Sequence, residues 1–209
     1  MRKTAGIICV ALGILCLLGA IGFVIYNRWE DQSAAEASRS MVDSLKHAIR
    51  ENEINPSDDA VIRPGDLPET LAEKLAPDME TVSVDGYDCI GILSIPVLEL
   101  ELPVLADWSY AKLKKAPCHY FGSYYTGDLV IAAHNYNAHF GRLSQLQEGD
   151  PILFTAADGT VYYYTVALQE TLPANATEEM LSGSFPLSLY TCTPGGANRI
   201  TIRCQKDEA

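Results

Sequence analysis

An uncharged stretch of 22 residues near the N-terminus constrains the fold most: residues 5–26 read AGIICVALGILCLLGAIGFVIY. A helix of that length spans about 33 Å, which matches the hydrocarbon core of a bilayer. Arg2 and Lys3 precede the stretch, and acidic residues follow it from Glu30 onward. The positive-inside rule therefore predicts one membrane span with a cytoplasmic N-terminus and an extracytoplasmic remainder. A cleaved signal peptide is the alternative, but the stretch is long for one and no clear A-x-A site follows it.

The span divides the chain into three predicted parts. We expect residues 1–28 to hold the cytoplasmic tip and membrane helix, residues 29–80 an acidic stalk, and residues 81–209 a folded domain. The chain of 209 residues carries 15 basic and 27 acidic residues, and this net charge of −12 argues against a nucleic-acid partner, because phosphate binding needs a basic face. Apolar residues make up 48% and charged residues 20%, which excludes disorder throughout.

The stalk combines a helical pattern with a linker pattern. Apolar residues recur at steps of three and four across residues 34–49, which predicts a helix with a narrow apolar stripe. Asn55-Pro56 ends this pattern, and the proline-rich residues 57–80 are typical of a linker with one helical turn near residues 69–75. The pattern leaves open whether the helix lifts the domain off the membrane or packs on the domain as an additional helix.

The domain from residue 81 onward shows short apolar segments separated by turn signals. Asp158-Gly159 and Pro194-Gly195-Gly196 each separate two such segments, as in β-hairpins. Short helical patches are expected near residues 110–115, 140–146 and 177–181. Many short strands at close spacing favour a mostly antiparallel sandwich or a closed barrel. The predicted strands cover residues 89–95, 98–105, 129–133, 152–155, 161–166, 187–191 and 199–204.

Three residues at predicted strand ends could form a reactive site. His134 ends the segment LVIAAH, Cys192 ends PLSLYTC, and Arg199 opens the next strand after the Pro-Gly-Gly turn. A hairpin places Cys192 and Arg199 side by side, and a neighbouring His134 strand would add an imidazole to the same rim. A thiol nucleophile, a proton-transferring imidazole and a permanently charged guanidinium suit acyl transfer. The alternative is a structural cysteine in a non-catalytic, membrane-anchored binding module.

These residues resemble the motifs of the sortases, the cysteine transpeptidases of Gram-positive cell surfaces. The family's T-L-x-T-C nucleophile motif is matched by residues 188–192, SLYTC, with serine in the first position. The family's histidine follows an apolar strand, as Ala133-His134 does, and its arginine opens the last strand, as Arg199 does. Residues 91–96, GILSIP, and 102–104, LPV, are similar to the family's first two strands.

The resemblance implies a closed eight-stranded β-barrel with short helices and a sorting-signal transpeptidation. In that scheme Cys192 attacks the threonine carbonyl of an LPXTG-like signal, His134 protonates the departing amine, and Arg199 binds the substrate and steadies the oxyanion. An amine of a peptidoglycan precursor or a pilin lysine then resolves the thioester. The implied partners are secreted proteins with a C-terminal sorting signal and this amine acceptor, at the cell membrane. No cofactor or metal is expected, calcium included, and the sortase subclass stays open.

Several nearby residues have simpler explanations. Thr191 could contact substrate beside the cysteine, but packing between strands explains it as well. Arg203 is the rival of Arg199, although it lies further from the turn that carries the cysteine. His139 is expected to be structural or exposed, because no third metal ligand lies at a suitable spacing.

Four cysteines lie outside the apolar stretch: Cys89, Cys118, Cys192 and Cys204. Four cysteines can form two disulfides in three different ways, and the sequence does not choose among them. A bond between Cys192 and Cys204 is not expected, because in the predicted hairpin they lie roughly 16 Å apart. A bond from Cys204 to Cys89 or Cys118 stays open. A dyad of Cys118 with the adjacent His119 is not expected, because neighbours on a strand point to opposite faces.

Overall fold

A computed structural model describes residues 2–54, 79–182 and 184–207, and it combines one long helix with a β-barrel. The helices are α1 (Arg2–Ile54), α2 (Tyr110–Leu113) and α3 (Thr177–Leu181), with 3-10 turns η1 (Pro96–Leu98) and η2 (Leu143–Gln145). The strands are β1 (Val82–Val84), β2 (Tyr87–Ile95), β3 (Leu100–Leu105), β4 (Cys118–Phe121), β5 (Leu129–Ala132), β6 (Pro151–Ala156), β7 (Val161–Pro173), β8 (Leu187–Cys192) and β9 (Asn198–Lys206). Residues 57–78 of the predicted linker lie outside the described residues, and so does the helical turn expected near residues 69–75.

Eight strands close into a barrel, as predicted. They follow the order β2-β3-β4-β5-β8-β9-β7-β6, and β6 pairs back onto β2. The short β1 pairs with β2 outside this ring. The pairs β3–β4 and β5–β8 are parallel, whereas the other neighbours are antiparallel. Closure leaves these eight strands without a free edge.

A glycine on β2 allows the ring to close. Gly91 has a φ of +155°, lies at a register shift in β2 and faces both Val104 of β3 and Ala156 of β6. A Cβ atom at this position would collide with the backbone oxygen of Thr155. Only glycine tolerates both this backbone conformation and this close approach of β6.

The barrel interior holds the main hydrophobic core, and α1 covers part of the outer wall. Leu45 and Ile49 of α1 pack against Ile92 and Leu105 in a second buried cluster. The predicted helical stripe is therefore buried against the barrel, which is the second of the two arrangements that the sequence left open. The alternation of leucine and glutamate in residues 98–105 predicts a half-buried strand. The cover by α1 explains why Leu102–Leu105 of β3 are instead buried on both faces.

The membrane-span segment and the stalk segment form one continuous helix. The described side chains from residue 11 to residue 28 are exposed, and the apolar part of α1 is long enough and apolar enough to cross a membrane. From Ala34 onward the same helix buries one face against the barrel. No helix break within residues 2–54 separates the candidate anchor from the domain.

Candidate active site

The parallel pairing of β5 with β8 brings His134 next to the end of the cysteine strand. Ala132 faces Tyr190 in this pairing, and the Ala133 amide donates to the Tyr190 carbonyl at 3.2 Å. The Thr191 hydroxyl donates back to the Ala133 carbonyl at 2.8 Å. Since His134 follows Ala133 directly and Cys192 follows Thr191, the imidazole and the thiol leave adjacent strands at the same level.

The β8–β9 hairpin places Arg199 opposite the thiol. Cys192 and Arg199 are direct partners in the antiparallel register. The turn is closed by the Thr193 amide, which donates to the Asn198 carbonyl at 3.0 Å. The Arg199 Nη1 donates to the carbonyls of Gly196 and Asn198 at 3.0 and 3.1 Å, which orients the guanidinium at the end of the hairpin.

One cavity of about 190 Å³ is lined by all three predicted site residues, His134, Cys192 and Arg199. Its wall is largely aromatic and apolar, with a few polar groups, as is usual for ligand-binding cavities. Tyr190 and Tyr120 meet edge to face, with ring centroids 5.3 Å apart. The other wall residues include Trp108, Tyr110, Pro173 and Met180.

Burial separates Cys192 from the other barrel cysteines. Cys192 is partly exposed at the cavity, whereas Cys89, Cys118 and Cys204 are buried. Burial raises the pKa of the Cys89 thiol to about 11 and those of Cys118 and Cys204 to about 12, with smaller contributions from nearby acidic groups at Cys89. Because the thiolate is the reactive form, Cys192 is the barrel thiol best suited to act as a nucleophile.

His134 lies in an environment that disfavours its charged form. Partial burial lowers its pKa, the Lys114 ammonium lowers it further, and the Glu30 carboxylate opposes the shift. Its ring packs against Tyr136 with centroids 4.9 Å apart. Its Nε2 is buried and has no hydrogen-bond partner among the residues that the structure describes. A neutral imidazole with a free ring nitrogen can take up a proton and return it.

A sortase domain model matches residues 93–207, more than half of the chain and all of the strands that carry these residues. The chain belongs to the sortase family. Sortase D of Bacillus subtilis strain 168 is 33% identical over an alignment of 116 residues, which covers 50% of this chain and 58% of that protein. The chain therefore spans little more than half the length of this relative.

Solved sortases share the fold of this sortase. The structure of a Clostridium perfringens sortase D5 transpeptidase has a TM-score of 0.56 at 17% identity and covers 85% of this chain and 99% of its own. The X-ray structure of Clostridium perfringens sortase C with the C-terminal cell wall sorting motif has a TM-score of 0.52 at 20% identity, covering 80% and 90%. These likenesses establish the barrel architecture.

Arg203, the predicted rival of Arg199, is structural in this sortase. Its side chain is buried and its Nε donates to the Glu170 carboxylate at 2.7 Å. Its Nη1 donates to the Met180 carbonyl and the Ser188 hydroxyl, both at 2.9 Å. Arg203 therefore joins α3 to the barrel wall, and Arg199 is the arginine that lines the cavity.

Thr191 is not among the residues that line the cavity. It is 1% exposed, and its hydroxyl bonds to the Ala133 carbonyl. These contacts favour the packing explanation over the expected substrate contact, because this hydroxyl joins β8 to β5 directly before the thiol and the imidazole.

The remaining histidines lie outside the cavity. His139 is fully buried beside α1, and His119 has its two ring nitrogens within 3.1 and 2.8 Å of the Ala106 and Gly122 carbonyls. Within the described ranges, no group of three His, Cys, Asp or Glu side chains could hold a metal ion. Five cysteines of those ranges are free thiols, so the structure contains none of the possible disulfides between Cys89, Cys118 and Cys204.

Sequence reasoning missed the aromatic wall and the acidic neighbour of the histidine. The two-residue period of a strand puts Tyr190 on the same face as Cys192, so this part of the wall could have been predicted. Tyr120 lies on β4, which is not among the predicted strands. The contribution of Glu30 had no sequence signal, because it comes from a residue more than 100 positions away from His134.

Proposed function

We propose that this sortase is a membrane-anchored cysteine transpeptidase. It cleaves a C-terminal LPXTG-like sorting signal and transfers the protein to an amine of the cell wall or of a pilin. The observation that carries the proposal is the shared cavity of Cys192, His134 and Arg199. One structural neighbour, sortase C of Clostridium perfringens, was solved with a C-terminal cell wall sorting motif, which supports a peptide of this kind as ligand.

Acylation begins with proton transfer from the Cys192 thiol to His134. The thiolate attacks the threonine carbonyl carbon, a C–S bond forms, and the carbonyl electron pair moves to the oxygen. The Arg199 guanidinium stabilises this oxyanion or the adjacent backbone, because its donors are fixed and it keeps its charge. The peptide C–N bond then breaks while the His134 imidazolium donates its proton to the departing amine, which leaves a thioester on Cys192.

Deacylation repeats these steps with a new amine. The acceptor amine attacks the thioester carbonyl and gives a proton to His134. The C–S bond breaks, the Cys192 thiolate departs, and a new amide joins the sorted protein to the acceptor. Preference for an amine over water keeps the outcome a transfer rather than a hydrolysis. The proposed site of this reaction is the extracytoplasmic surface, with the N-terminus in the cytoplasm, because Arg2 and Lys3 precede the apolar stretch.

The decisive assay measures cleavage of LPXTG-type peptides by the full chain in detergent, with and without an amine acceptor. We expect Cys192→Ala to abolish both cleavage and transfer, and Cys118→Ala, a matched change at a buried thiol, to retain them. Equal turnover by wild type and Cys192→Ala, or no turnover of any sorting peptide, would favour the non-catalytic binding module.

A thiol probe tests the nucleophile without any substrate. A charged alkylating reagent at pH 8 should label Cys192 in the folded chain and reach Cys89, Cys118 and Cys204 only after unfolding. The reason is that burial both shields these three thiols and raises their pKa. Labelling of Cys204 as fast as of Cys192 would contradict the assignment.

A further inference from the structure

The loop that follows His134 is held by hydrogen bonds from α1. The Tyr136 hydroxyl donates to the Glu30 carboxylate at 3.5 Å, and the Ala138 amide donates to the Asp31 Oδ1 at 3.0 Å. Two turns further along the helix, the Ser38 hydroxyl lies 3.0 Å from the His139 Nε2. Three residues on one face of α1 thus contact one short loop, which we call the histidine loop (residues 134–141).

The contact between Ser38 and His139 is buried and directional. The two side chains are 2% and 0% exposed. The Ser38 hydroxyl donates its proton to the Lys115 carbonyl at 2.9 Å, so it accepts from His139 and the proton of that imidazole lies on Nε2. A buried bond of this kind is costly to break, because the imidazole would lose its partner away from water.

The histidine loop is compact, so its parts move together. The amides of His139 and Gly141 donate to the Tyr136 carbonyl at 3.0 and 2.8 Å, and the Phe140 amide donates to the His134 carbonyl at 3.2 Å. A Cβ atom on Gly141 would lie 2.6 Å from the Asn135 carbonyl oxygen, which shows how tightly the loop closes. A displacement at Tyr136 or His139 is therefore transmitted to His134.

Tyr136 provides the direct contact with the imidazole. Its ring packs near both the His134 ring and the His139 ring, with centroid distances of 4.9 and 5.7 Å. The carboxylate that accepts from its hydroxyl, Glu30, also bonds to the Lys114 ammonium at 3.2 Å. Glu30 therefore both holds the Tyr136 ring and offsets the charge of Lys114 near the imidazole.

We infer that α1 is a positioning element of the active site: Glu30, Asp31 and Ser38 hold the histidine loop and thereby orient the imidazole of His134 toward Cys192. None of the three is a catalytic residue, since each acts through Tyr136, Ala138 or His139. The inference rests on the proposed function, because it assigns a role to the geometry of His134. It makes the candidate membrane helix a part of the reaction machinery.

The competing explanation is that α1 merely stabilises the barrel. The chain offers a matched control, because Lys46 of α1 bonds to Glu101 of β3 at 2.6 Å without touching the histidine loop. Lys46→Ala removes a contact between α1 and the barrel and leaves Glu30, Asp31 and Ser38 in place. If α1 only stabilised the barrel, both kinds of substitution would lower the unfolding midpoint of the protein and would leave its kcat unchanged.

The activity test compares full-length variants in lipid nanodiscs. We expect Asp31→Ala and Ser38→Ala to lower kcat by between about tenfold and a hundredfold, as small displacements of a reacting group do, with little change in KM. Asp31→Asn keeps an acceptor for the Ala138 amide and should restore most of kcat, and Lys46→Ala should stay within twofold of wild type. Wild-type kcat in both Asp31→Ala and Ser38→Ala would overturn the inference.

A second measurement needs no substrate and separates this inference from the proposed function. Histidine ring resonances of the full chain, labelled on histidine, are titrated with pH. Replacing Glu30 by Gln should lower the pKa of His134, because the carboxylate now opposes the effect of Lys114. Asp31→Ala should shift the His134 resonances, and Lys46→Ala should not. The charged and titratable groups around that imidazole are Glu30, Lys114, Tyr136, His139, Cys192 and Arg199.

The two measurements distinguish a failure of the positioning role from a failure of the proposed function. Unchanged His134 resonances in Glu30→Gln and Asp31→Ala would refute the positioning role, whatever the enzyme activity. Shifted resonances in a protein that cleaves no sorting peptide would support the positioning role and refute the proposed function.

Discussion

Truncation of Leu45 to alanine tests whether α1 is docked on the barrel, on which the role of the histidine loop depends. Leu45 is 0% exposed and belongs to the cluster that joins α1 to β2 and β3. The substitution removes three carbon groups, and at about 0.8 kcal/mol each their loss from the cluster costs about 2.4 kcal/mol. The cavity that remains adds to this cost, so we expect a loss of about 3–4 kcal/mol.

The assay is thermal unfolding of the full chain in detergent, followed by tryptophan fluorescence, since Trp108 lies on the barrel. A loss of about 3 kcal/mol lowers the Tm of a chain of this size by roughly 6–12 °C. His47→Ala is the control on the same helix. The His47 side chain is 78% exposed and its contact with Glu51 is a surface pair, so its removal should cost less than about 0.5 kcal/mol.

A free stalk gives a different result from a docked helix. Leu45 would then be exposed in the folded chain, and Leu45→Ala would behave like His47→Ala. Equal Tm values for the two variants would therefore refute the docking of α1 and, with it, the contacts of Glu30, Asp31 and Ser38.

Three further substitutions test other parts of the structure. Gly91→Ala should prevent closure of β2 on β6, because its Cβ meets the Thr155 backbone, and we expect loss of the cooperative unfolding transition. Arg203→Lys keeps the charge but loses the planar fork that bonds Glu170, Met180 and Ser188, and it should cost roughly 1–3 kcal/mol in urea unfolding. Burial, reinforced by His134 and opposed by Asp31, lowers the pKa of His139 from 6.5 to about 4, so the stability it contributes is complete above pH 6.5 and is lost as the pH falls toward 4. Between pH 7.5 and pH 5 this group accounts for about 2 kcal/mol, and urea unfolding of His139→Gln should show that much less acid destabilisation.

The barrel was predictable where strands are apolar and bounded by turns. The Asp158-Gly159 turn between residues 152–155 and residues 161–166 predicted the β6–β7 hairpin, which the structure contains. The rest of β7, residues 167–173, reads ALQETLP and has no regular alternation of apolar and polar residues. It is a strand because β9 pairs along it as far as Asn198. The short β1 and β4 were missed for the same reason, since they owe their extended form to β2 and β5.

The sequence predicts the reactive residues of the candidate site, but it does not predict the contacts that hold them in place. Hairpin geometry alone brought Cys192 and Arg199 together, and the structure pairs them directly. The pairing of β5 with β8 could only be assumed, because parallel neighbours far apart in sequence leave no local signal. The apolar stripe on α1 predicted a buried face, but no pattern identifies the surface that covers it.

In the proposed membrane anchoring, the length of α1 also sets the height of the cavity above the membrane. Tyr26 ends the apolar stretch, and Glu30, which contacts the histidine loop, lies four residues further, or about 6 Å along the helix. The layer of lipid headgroups beside the hydrocarbon core is about 5–8 Å thick. A span through residues 5–26 therefore brings the histidine loop to the level of the headgroups, and tilting of α1 only lowers it.

An insertion of seven residues after Tyr26 tests this placement. Seven residues make almost two helical turns, so a helical insertion raises the barrel by about 10 Å and leaves its rotation about the helix nearly unchanged. We expect transfer to a lipid-linked amine acceptor in the same nanodisc to fall at least several-fold, because the cavity moves out of the headgroup layer. Transfer between a soluble sorting peptide and a soluble amine should stay near the wild-type rate, since Glu30, Asp31 and Ser38 keep their contacts. Unchanged transfer to the lipid-linked acceptor would show that α1 does not set the working height of the site, and an equal loss in both reactions would show that the insertion acts through the site itself.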